Sequence, residues 1–475
     1  PFPVTWVGDT FTLEIAPGRM KAWGEERGLP RGRWDLVVHR SDGTEIPVML
    51  NRLIGLVGND DHRYQRQRFT ILPRRLYEMS LNVRPNFTGE ESSGFGRLRL
   101  RDEVYPSLRE EPLRDMVLFE SYFGTQYSCN PRAVYEELRS RGGETELVWV
   151  TDDGSLRVPD GGRTVLTGSR EHLEALARAR FIVSNCGIPH WYVKREGQVY
   201  LQTWHGSPLK KVGLAVDNAS FDRAQERLRR LAEDAQKWDV LLSQSSFTTP
   251  IMRDAMAYEG EVAEVGYPRN DALHAPDAAE RGRRVRESLG IAPDKRVVLY
   301  APTWRDEGNT GGGAYQFDLR LDVEHMREKL GDDHVVLLRL HHLINRHHVV
   351  LEDGFVKDVS SYPDVNDLCL AADVLITDYS SLMFDYAGTG RPVLVYGYDY
   401  EQYRDHTRGL SFDLEDHGPG PILADTDAVI DALADLEGYQ KSTKAKYEAF
   451  QELFCPHEDG RASARVADLI QGWSS

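Results

Sequence analysis

The sequence predicts an α/β protein built from two doubly wound parallel sheets, with a β-rich segment in front of them. Short apolar segments alternate with helical patterns from residue 116 onward, which is typical of parallel sheets covered by helices. Most apolar segments of the second half are apolar on both faces, as covered strands require. The alternation restarts after Pro268, so we expect two Rossmann-like domains that face one another across a ligand cleft.

The positions of the elements follow from these patterns. In the first half we expect strands at 116–120, 146–150, 181–184 and 199–201, and helices at 131–141 and near 171–180. In the second half we expect strands at 297–300, 335–338, 355–359, 374–376 and 393–396. Short alternating segments before residue 110 have the spacing of a small antiparallel β domain. The predicted domains are therefore a β-rich accessory domain (1–110), an N-terminal Rossmann-like domain (111–265), a C-terminal Rossmann-like domain (266–425) and helices that pack back across both halves (426–475).

Composition limits the classes of function. The chain has 475 residues, enough for two or three domains, and its net charge of −17 argues against the broad basic face that nucleic-acid binding requires. No apolar segment approaches the ~20 residues that span a bilayer, and no signal peptide opens the chain. Four scattered cysteines without metal-ligand spacing indicate reduced thiols in the cytosol. Because the chain begins with Pro1, we expect it to be a piece of a longer product.

A histidine turn follows the strand expected at 199–201. Residues 202–211 read Gln-Thr-Trp-His-Gly-Ser-Pro-Leu-Lys-Lys, so His205 precedes a glycine, a hydroxyl and the paired charges of Lys210 and Lys211. Open α/β sheets bind ligands outside the carboxyl ends of their strands. There His205 could accept a proton near neutral pH, and the two lysines could hold an anion. The alternative is a buried, hydrogen-bonded structural histidine.

A second polar turn follows the strand expected at 374–376. Residues 377–385 read Thr-Asp-Tyr-Ser-Ser-Leu-Met-Phe-Asp and lead into a helical pattern. A strand-to-helix junction presents backbone N–H groups and the positive end of the helix dipole, which bind anions. Capping explains one serine of Ser380 and Ser381, whereas the pair favours phosphate binding.

Further polar residues are expected at the same cleft. Arg305 follows the strand at 297–300 and could hold phosphate oxygens in two hydrogen bonds, or form an ion pair with Asp306. His341 closes the next strand and could donate to a phosphate. The remaining candidates are Lys210, Lys211, Arg269, Thr377, Asp378 and Asp385. We expect no metal site, and the sequence contains neither a Walker loop nor G-x-G-x-x-G, which weighs against kinases and dehydrogenases.

The segment 221–238 is amphipathic. Its apolar residues recur at steps of three and four, namely Phe221, Ala224, Leu228, Leu231, Ala235 and Trp238, and its other face is basic. Core packing with a solvated basic face explains this pattern. The alternative is a surface helix that rests on anionic lipid.

Six motifs, taken together and in order, resemble the CDP-glycerol:poly(glycerophosphate) glycerophosphotransferases, the TagF-like enzymes of wall teichoic acid and capsule synthesis. They lie at 119–121, 203–210, 266–271, 301–305, 377–385 and 391–392, and read Phe-Glu-Ser, Thr-Trp-His-Gly-Ser-Pro-Leu-Lys, Gly-Tyr-Pro-Arg-Asn-Asp, Ala-Pro-Thr-Trp-Arg, Thr-Asp-Tyr-Ser-Ser with Phe384 and Asp385, and Arg-Pro. The resemblance runs from about residue 117 to residue 470 and leaves the β-rich first 110 residues outside it.

The resemblance implies a GT-B fold with two Rossmann-like halves. It makes His205 the general base, and it makes Arg305, His341, Ser380 and Ser381 the residues that hold the pyrophosphate of a CDP-linked donor. It also places the segment 358–360, which ends at Ser360, near the cytidine. One departure is His342, at a position where the family usually has proline.

The implied activity is the transfer of glycerol phosphate from CDP-glycerol to a hydroxyl of a lipid-linked or polymeric glycerophosphate acceptor, with release of CMP. An acceptor hydroxyl needs a base at neutral pH, and fixed donors can stabilise the leaving CMP without a cofactor. The alternatives are a transferase of the same fold that uses CDP-ribitol or another nucleotide-linked donor, and a non-catalytic scaffold that binds anionic polymer. Lipid-linked acceptors imply peripheral attachment to the cytoplasmic face of the cell membrane. We expect no nucleic-acid partner, and a homo-oligomer stays open.

Overall fold

The computed structural model describes residues 5–7, 10–12, 15–22, 25–39, 45–48, 61–73, 79–216, 222–303, 319–340 and 354–474. The chain divides into two units. Unit 1 comprises Pro1–Tyr127, Gly143–Val183 and Tyr192–Gln198. Unit 2 comprises Ser128–Gly142, Ser184–Trp191 and Val199–Ser475.

The strands and helices are labelled in chain order. The strands are β1 (Thr5–Val7), β2 (Thr10–Thr12), β3 (Met20–Ala22), β4 (Glu25–Arg27), β5 (Gly32–Asp35), β6 (Val37–His39), β7 (Glu45–Pro47), β8 (Asp61–Tyr64), β9 (Gln67–Pro73), β10 (Met79–Pro85), β11 (Arg114–Glu120), β12 (Glu146–Thr151), β13 (Arg163–Leu166), β14 (Ala179–Ser184), β15 (Val199–Gln202), β16 (Val240–Ser243), β17 (Glu261–Glu264), β18 (Arg296–Ala301), β19 (His334–Leu338), β20 (Val356–Asp358), β21 (Val374–Thr377), β22 (Val393–Tyr396) and β23 (Ile422–Leu423). The helices are α1 (Gly94–Arg99), α2 (Tyr105–Leu108), α3 (Cys129–Arg141), α4 (Arg170–Arg178), α5 (Asp222–Ala235), α6 (Thr248–Met256), α7 (Ala278–Ser288), α8 (Val323–Leu330), α9 (Val365–Ala371), α10 (Leu382–Ala387), α11 (Tyr400–Gln402), α12 (Leu414–His417), α13 (Thr426–Ala434), α14 (Leu436–Phe454) and α15 (Ala462–Ser474).

Unit 1 begins with antiparallel strands, as the alternating pattern predicts. The order β5-β10-β9-β8 forms a four-stranded sheet, and β1-β2, β3-β4 and β6-β7 form two-stranded pairs. Phe69 of β9 and Val83 of β10 are opposite one another in the register, and both are buried. The end of this segment is helical, because α1 and α2 follow β10.

Unit 1 also contains four strands in the order β13-β12-β11-β14. The pairs β11–β12 and β12–β13 are parallel. Val117 and Leu118 of β11 point to opposite faces of the sheet and are both buried, as expected for a strand that is covered on both faces. α4 is capped by Ser169, whose hydroxyl accepts a hydrogen bond from the His172 N–H. The strands and helices expected here from the sequence are confirmed, and β13 is an additional short strand.

Unit 2 contains the parallel strands β15, β16 and β17, paired in that order, and a six-stranded parallel sheet. The six strands lie in the order β20-β19-β18-β21-β22-β23, which is the order of the dinucleotide-binding fold. The order reverses between β18 and β21, and ligands bind at this point of such sheets, outside the carboxyl ends of the strands. The Ser380–Ser381 turn follows β21 directly.

Helices close the chain from Thr426, as predicted. Asp425 caps α13 by accepting a hydrogen bond from the Ala428 N–H, and α14 and α15 follow. Phe454 of α14 and Val466 of α15 are fully buried in unit 2. Across the described ranges, none of the helices is both long enough and apolar enough to cross a bilayer.

α5 carries part of the amphipathic pattern. Ala235 at its end and Trp238 just beyond it are buried, whereas Arg229 and Arg230 are exposed and form ion pairs with Glu226 on the same helix. These contacts favour core packing for the apolar face. Phe221 lies outside the described residues.

Candidate active site

The turn that carries His205 is held by buried amides of its neighbours. The Thr203 N–H donates to the Ser184 carbonyl at 2.8 Å, and the Trp204 N–H donates to Gln202 Oε1 at 2.9 Å. Asn130 Nδ2 donates to the carbonyls of Thr203 and Trp204, at 3.0 Å each. Trp204 has a φ of +52°, a left-handed conformation that costs a non-glycine residue about 1–3 kcal/mol. The surrounding hydrogen bonds therefore fix a strained turn immediately before His205.

A backbone carbonyl outside this turn, that of Asn185, fixes the tautomer of the His205 ring. His205 Nδ1 lies 2.7 Å from the Asn185 carbonyl oxygen, which can only accept, so Nδ1 carries the proton and Nε2 is the basic nitrogen. The indole of Trp204 stacks on the imidazole at 4.6 Å between ring centroids. Burial, with a smaller contribution from the charge of Arg269, lowers the pKa of His205 to about 4, although the hydrogen bond to Asn185 acts to raise it. The neutral imidazole is therefore the resting form at neutral pH.

The two predicted turns meet in unit 2. A Cβ atom added to Gly206 would lie 2.5 Å from Ser381 Oγ and 3.0 Å from Ser381 Cβ, so only glycine permits this approach. Ser381 immediately precedes α10 and does not cap it through its side chain, and Ser380 Oγ accepts from the Leu382 N–H at 3.3 Å. Both serines are partly exposed. The structure thus brings the His205 turn and the Ser380–Ser381 turn into contact at Gly206 and Ser381, although about 175 residues separate the two turns in the chain.

Thr377 and Asp378 anchor the serine turn to the neighbouring strand. Thr377 Oγ1 donates to the Ala301 carbonyl at 2.8 Å, at the end of β18. The Asp378 carboxylate accepts from the Thr303 N–H at 2.9 and 3.1 Å and from the Tyr379 N–H at 2.6 Å. Both side chains are buried. Their hydrogen bonds fix the turn at the point where the strand order of the sheet reverses, between β18 and β21.

Arg269 and Asp385 form a buried ion pair below the serine turn. The guanidinium donates to both carboxylate oxygens at 2.8–3.1 Å, and Asn270 Nδ2 adds a bond of 3.0 Å to Asp385 Oδ1. The Arg269 N–H also donates to Asn130 Oδ1 at 3.1 Å. Asn130 therefore connects the His205 turn with the turn at 266–271, and the ion pair connects that turn with α10.

Three of the other residues predicted from the sequence lie within the described ranges, namely Lys210, Lys211 and Ser360. Lys210 forms an antiparallel bridge with Leu410, and the Lys211 N–H donates to the Gly409 carbonyl at 3.1 Å, so this segment continues as a short pairing. Ser360 Oγ accepts from the Leu340 N–H at 2.8 Å and supports the turn after β19. Arg305, His341 and His342 lie outside the described residues. Within the described ranges, no cluster of His, Cys, Asp or Glu has the arrangement of a metal site.

Sequence reasoning did not identify Asn130, Gln244 and Glu458. Gln244 Oε1 accepts a hydrogen bond from Ser207 Oγ, and Gln244 Nε2 donates to Glu458 Oε1 at 2.8 Å. These three residues are distant from His205 in the chain and belong to no spacing pattern. Cys129, with a φ of +64° immediately before Asn130, marks an unusual helix start, but the sequence alone does not show it.

Comparisons with known proteins agree on one family. The family model described as CDP-Glycerol:Poly(glycerophosphate) glycerophosphotransferase matches residues 104–472. The teichoic acid poly(glycerol phosphate) polymerase of Bacillus subtilis (strain 168) is 37% identical over 384 residues, which are 79% of this chain and 52% of that protein. The chain thus spans about half the length of this relative. The teichoic acid glycerol-phosphate transferase of Staphylococcus aureus (strain NCTC 8325 / PS 47) is 38% identical over 373 residues, which are 77% of this chain and 95% of that protein.

A solved structure has the same fold. The wall teichoic acid polymerase TagF superposes with a TM-score of 0.73 at 33% identity, over 79% of this chain and 94% of that chain. The family model begins at residue 104, so it covers β11 to β23 and none of the antiparallel strands β1 to β10.

Proposed function

The chain belongs to the CDP-glycerol:poly(glycerophosphate) glycerophosphotransferase family, and from this premise we propose that it transfers glycerol phosphate from CDP-glycerol to a hydroxyl of a poly(glycerophosphate) acceptor. The family, the GT-B-like α/β fold and the transferase class predicted from the sequence are confirmed. The domain boundaries and the roles of single residues stay predictions. One observation supports the proposed active site most directly: the His205 turn and the Ser380–Ser381 turn approach each other at Gly206 and Ser381.

The reaction exchanges one phosphorus–oxygen bond for another. The acceptor oxygen forms a bond with the β-phosphorus of CDP-glycerol, and the bond from that phosphorus to the bridging oxygen breaks. CMP leaves with the bridging oxygen and its electron pair. The proton of the acceptor hydroxyl must go to a base, because the pKa of an alcohol lies far above 7.

His205 is the base in this proposal. Its Nδ1–H bond to the Asn185 carbonyl orients the ring and leaves Nε2 unprotonated, so the ring enters the reaction in the form that accepts a proton. The low pKa in the ligand-free protein is compatible with this role, since the phosphates of a bound donor favour the imidazolium that forms during transfer. The scheme needs no tautomer change during the step.

The serine turn binds the phosphate groups of the donor in this proposal. Ser380 and Ser381 lie at the start of α10, where hydroxyls and backbone N–H groups can donate to phosphate oxygens. Arg305 and His341 are proposed to complete this donor site, by the resemblance described above. Thr377, Asp378, Arg269 and Asp385 are proposed to position the turn rather than to bind donor, because their side chains bond to one another or to backbone.

Release of CMP measures the activity directly. We expect wild-type protein, incubated with CDP-glycerol and a lipid-linked glycerophosphate acceptor, to release CMP, and His205→Ala to lower the rate by about 10²–10⁴-fold without unfolding. The matched control is His172→Gln, because burial lowers the pKa of His172 to about 4 as well, but its ring serves a turn before α4 in unit 1. Near-wild-type CMP release by His205→Ala would remove this residue as the base. Faster release from CDP-ribitol than from CDP-glycerol would assign the alternative donor.

Peripheral attachment to the cytoplasmic face of the membrane is a further part of the proposal. It follows from an acceptor that is lipid-linked, and co-sedimentation with vesicles that carry anionic lipid measures it. Recovery of the protein in the supernatant at low and physiological salt would contradict it.

A further inference from the structure

One face of the four-stranded antiparallel sheet in unit 1 carries three arginines in register. Arg68 of β9 is directly opposite Arg63 of β8 on one side and Arg84 of β10 on the other. Residues that are directly opposite in an antiparallel sheet lie on the same face, so these three positions are neighbours across three strands. All three side chains are exposed. These three residues form the arginine row.

The next set of opposed residues on this face is polar. Asn82 of β10 is opposite Thr70 of β9 on one side and Arg33 of β5 on the other, which adds a fourth exposed arginine. Asp35 is two residues beyond Arg33, and Asp61 pairs with Thr70, so neither of these acidic residues is in the arginine row. The basic part of the face thus has an amide and a hydroxyl beside it.

The other face of the sheet is packed within unit 1. Phe69 and Val83 are buried there. Gln67 Nε2 donates to the Leu29 carbonyl at 2.6 Å, and Gln67 Oε1 accepts from Arg157 Nη2 at 3.2 Å. The apolar core of the sheet therefore lies on the face opposite to the arginine row, and packing does not explain the arginines.

Three like charges in register act against the stability of the sheet, because like charges that are directly opposite one another repel. The composition does not force this arrangement, since the chain has 75 acidic and 58 basic side chains. An anionic ligand removes the repulsion, because guanidinium groups bind phosphate oxygens through paired, charge-assisted hydrogen bonds. The arginine row is therefore suited to a ligand that carries several phosphates.

We propose that the arginine row binds poly(glycerophosphate), the anionic polymer that is the acceptor and the product of the proposed reaction. Charge complementarity selects this occupant, because each phosphodiester of the polymer is negative and neighbouring strands place the arginines ~4.8 Å apart at the backbone. Their long side chains can spread from there to successive phosphates. The Asn82 amide can bond to glycerol hydroxyls. The identity of the polymer rests on the proposed function.

The arginine row gives the N-terminal β-rich segment a role that the family does not assign. The family model begins at residue 104, so Arg63, Arg68 and Arg84 lie outside it. A polymer that is held at a second site stays on the enzyme between transfers, which raises the affinity for long acceptors. The row should therefore lower the KM for long chains and leave the chemical step unchanged.

Replacing all three arginines by glutamine tests the binding directly. Calorimetry with purified poly(glycerophosphate) and without CDP-glycerol should show at least about tenfold weaker binding by Arg63→Gln/Arg68→Gln/Arg84→Gln than by wild type. Wild-type binding should weaken as salt is raised, since exposed charges are screened. A cooperative melting curve shows that the variant is folded.

A control variant with the same change of net charge separates the row from the charge of the whole protein. Arg283→Gln/Arg284→Gln/Arg327→Gln removes three exposed arginines of α7 and α8 in unit 2. We expect this control to bind the polymer as wild type does. Arg84→Gln alone keeps two members of the row and should weaken binding about threefold, which tests the row with a smaller change to the fold.

CMP release shows where in the reaction the row acts. With an acceptor of one glycerophosphate unit, the triple glutamine variant of the row should keep the wild-type kcat and KM. With a long acceptor, its KM should rise about tenfold while kcat stays the same. The split between KM and kcat distinguishes retention of the polymer from a general loss of folded enzyme.

Three outcomes would overturn the inference. They are wild-type affinity for the polymer in both row variants, an equal loss of affinity in the control variant, and loss of binding to vesicles of anionic lipid by the row variant while its polymer binding persists, which would make this face a membrane surface. Each leaves CMP release by the wild type, and thus the proposed function, standing. A wild type that releases no CMP from CDP-glycerol would contradict the proposed function, whereas polymer binding is measured without the donor.

Discussion

The His205 turn and the Ser380–Ser381 turn both follow a buried parallel strand, but they are held in different ways. Neutral amides and carbonyls hold the first turn, which contains the left-handed Trp204. Carboxylates hold the second: Asp378 binds backbone N–H groups, and Asp385 binds Arg269. The first arrangement orients one imidazole, and the second presents two hydroxyls at a helix start.

The difference has a chemical reason. A carboxylate beside His205 would raise its pKa and favour the imidazolium, which cannot accept a proton. Carbonyl partners fix the ring without that charge. The proposed ligand of the serine turn is an anion, so nearby carboxylates need donors of their own, which backbone N–H groups supply to Asp378 and Arg269 supplies to Asp385.

Removing the charged anchor should have the largest effect on stability. Asp385→Ala leaves Arg269 buried and uncompensated, which we expect to cost about 3–5 kcal/mol of unfolding free energy. Asn130→Ala, in the neutral anchor, should cost about 1–3 kcal/mol, because it leaves carbonyls unsatisfied. Urea unfolding measures both, with Glu226→Ala, which removes only ion pairs on the surface of α5, as a control that should change little. Equal costs for Asp385 and Asn130 would remove the distinction between the two turns.

Removing a hydroxyl should affect transfer rather than folding. Ser381→Ala should cost about 2–4 kcal/mol of transition-state stabilisation, because a fixed donor to the phosphate charge is lost. The measurement is kcat/KM for CMP release together with a melting curve. Ser442→Ala, at an exposed serine of α14, is the control. Unchanged kinetics in Ser381→Ala would leave helix capping or packing as the role of this serine.

A smaller and more specific effect is expected at the point where the turns approach. Gly206→Ala places a methyl group within 2.5 Å of Ser381 Oγ, so the hydroxyl must rotate or the turns must separate. We expect a loss of about 10–100-fold in kcat/KM, since a displacement near 1 Å can have that effect. Gly472→Ala, where an added Cβ meets nothing within 4 Å, should leave activity unchanged. Full activity of Gly206→Ala would show that the approach of the turns does not matter for transfer.

Much of the fold could be predicted because parallel strands and their helices have strong local patterns. The β18, β19, β21 and β22 segments are apolar on both faces, and the structure confirms each of them. Short strands such as β13 and β23 could not be predicted, because two to four residues give too little periodicity. The helical turns at 89–108 follow an alternating segment and carry no long helical repeat.

The candidate site could be predicted only in part, for a related reason. His205, Ser380 and Ser381 follow the carboxyl ends of strands, where position in the chain is enough to predict a role in ligand binding or catalysis. The anchoring roles of Asp378, Arg269 and Asp385 became visible only from their partners. Asn130, Gln244 and Glu458 belong to contacts between segments that are 70 to more than 200 residues apart, which no local pattern records.

We propose that His205 removes a proton while the serine turn holds the donor. Calorimetric binding of CDP-glycerol to His205→Ala, combined with single-turnover CMP release after acceptor is added, separates the two roles. We expect donor affinity within about threefold of wild type and a chemical step slowed by at least about 10²-fold. A variant that transfers glycerol phosphate at the wild-type rate, or one that loses donor binding as completely as it loses transfer, would contradict it.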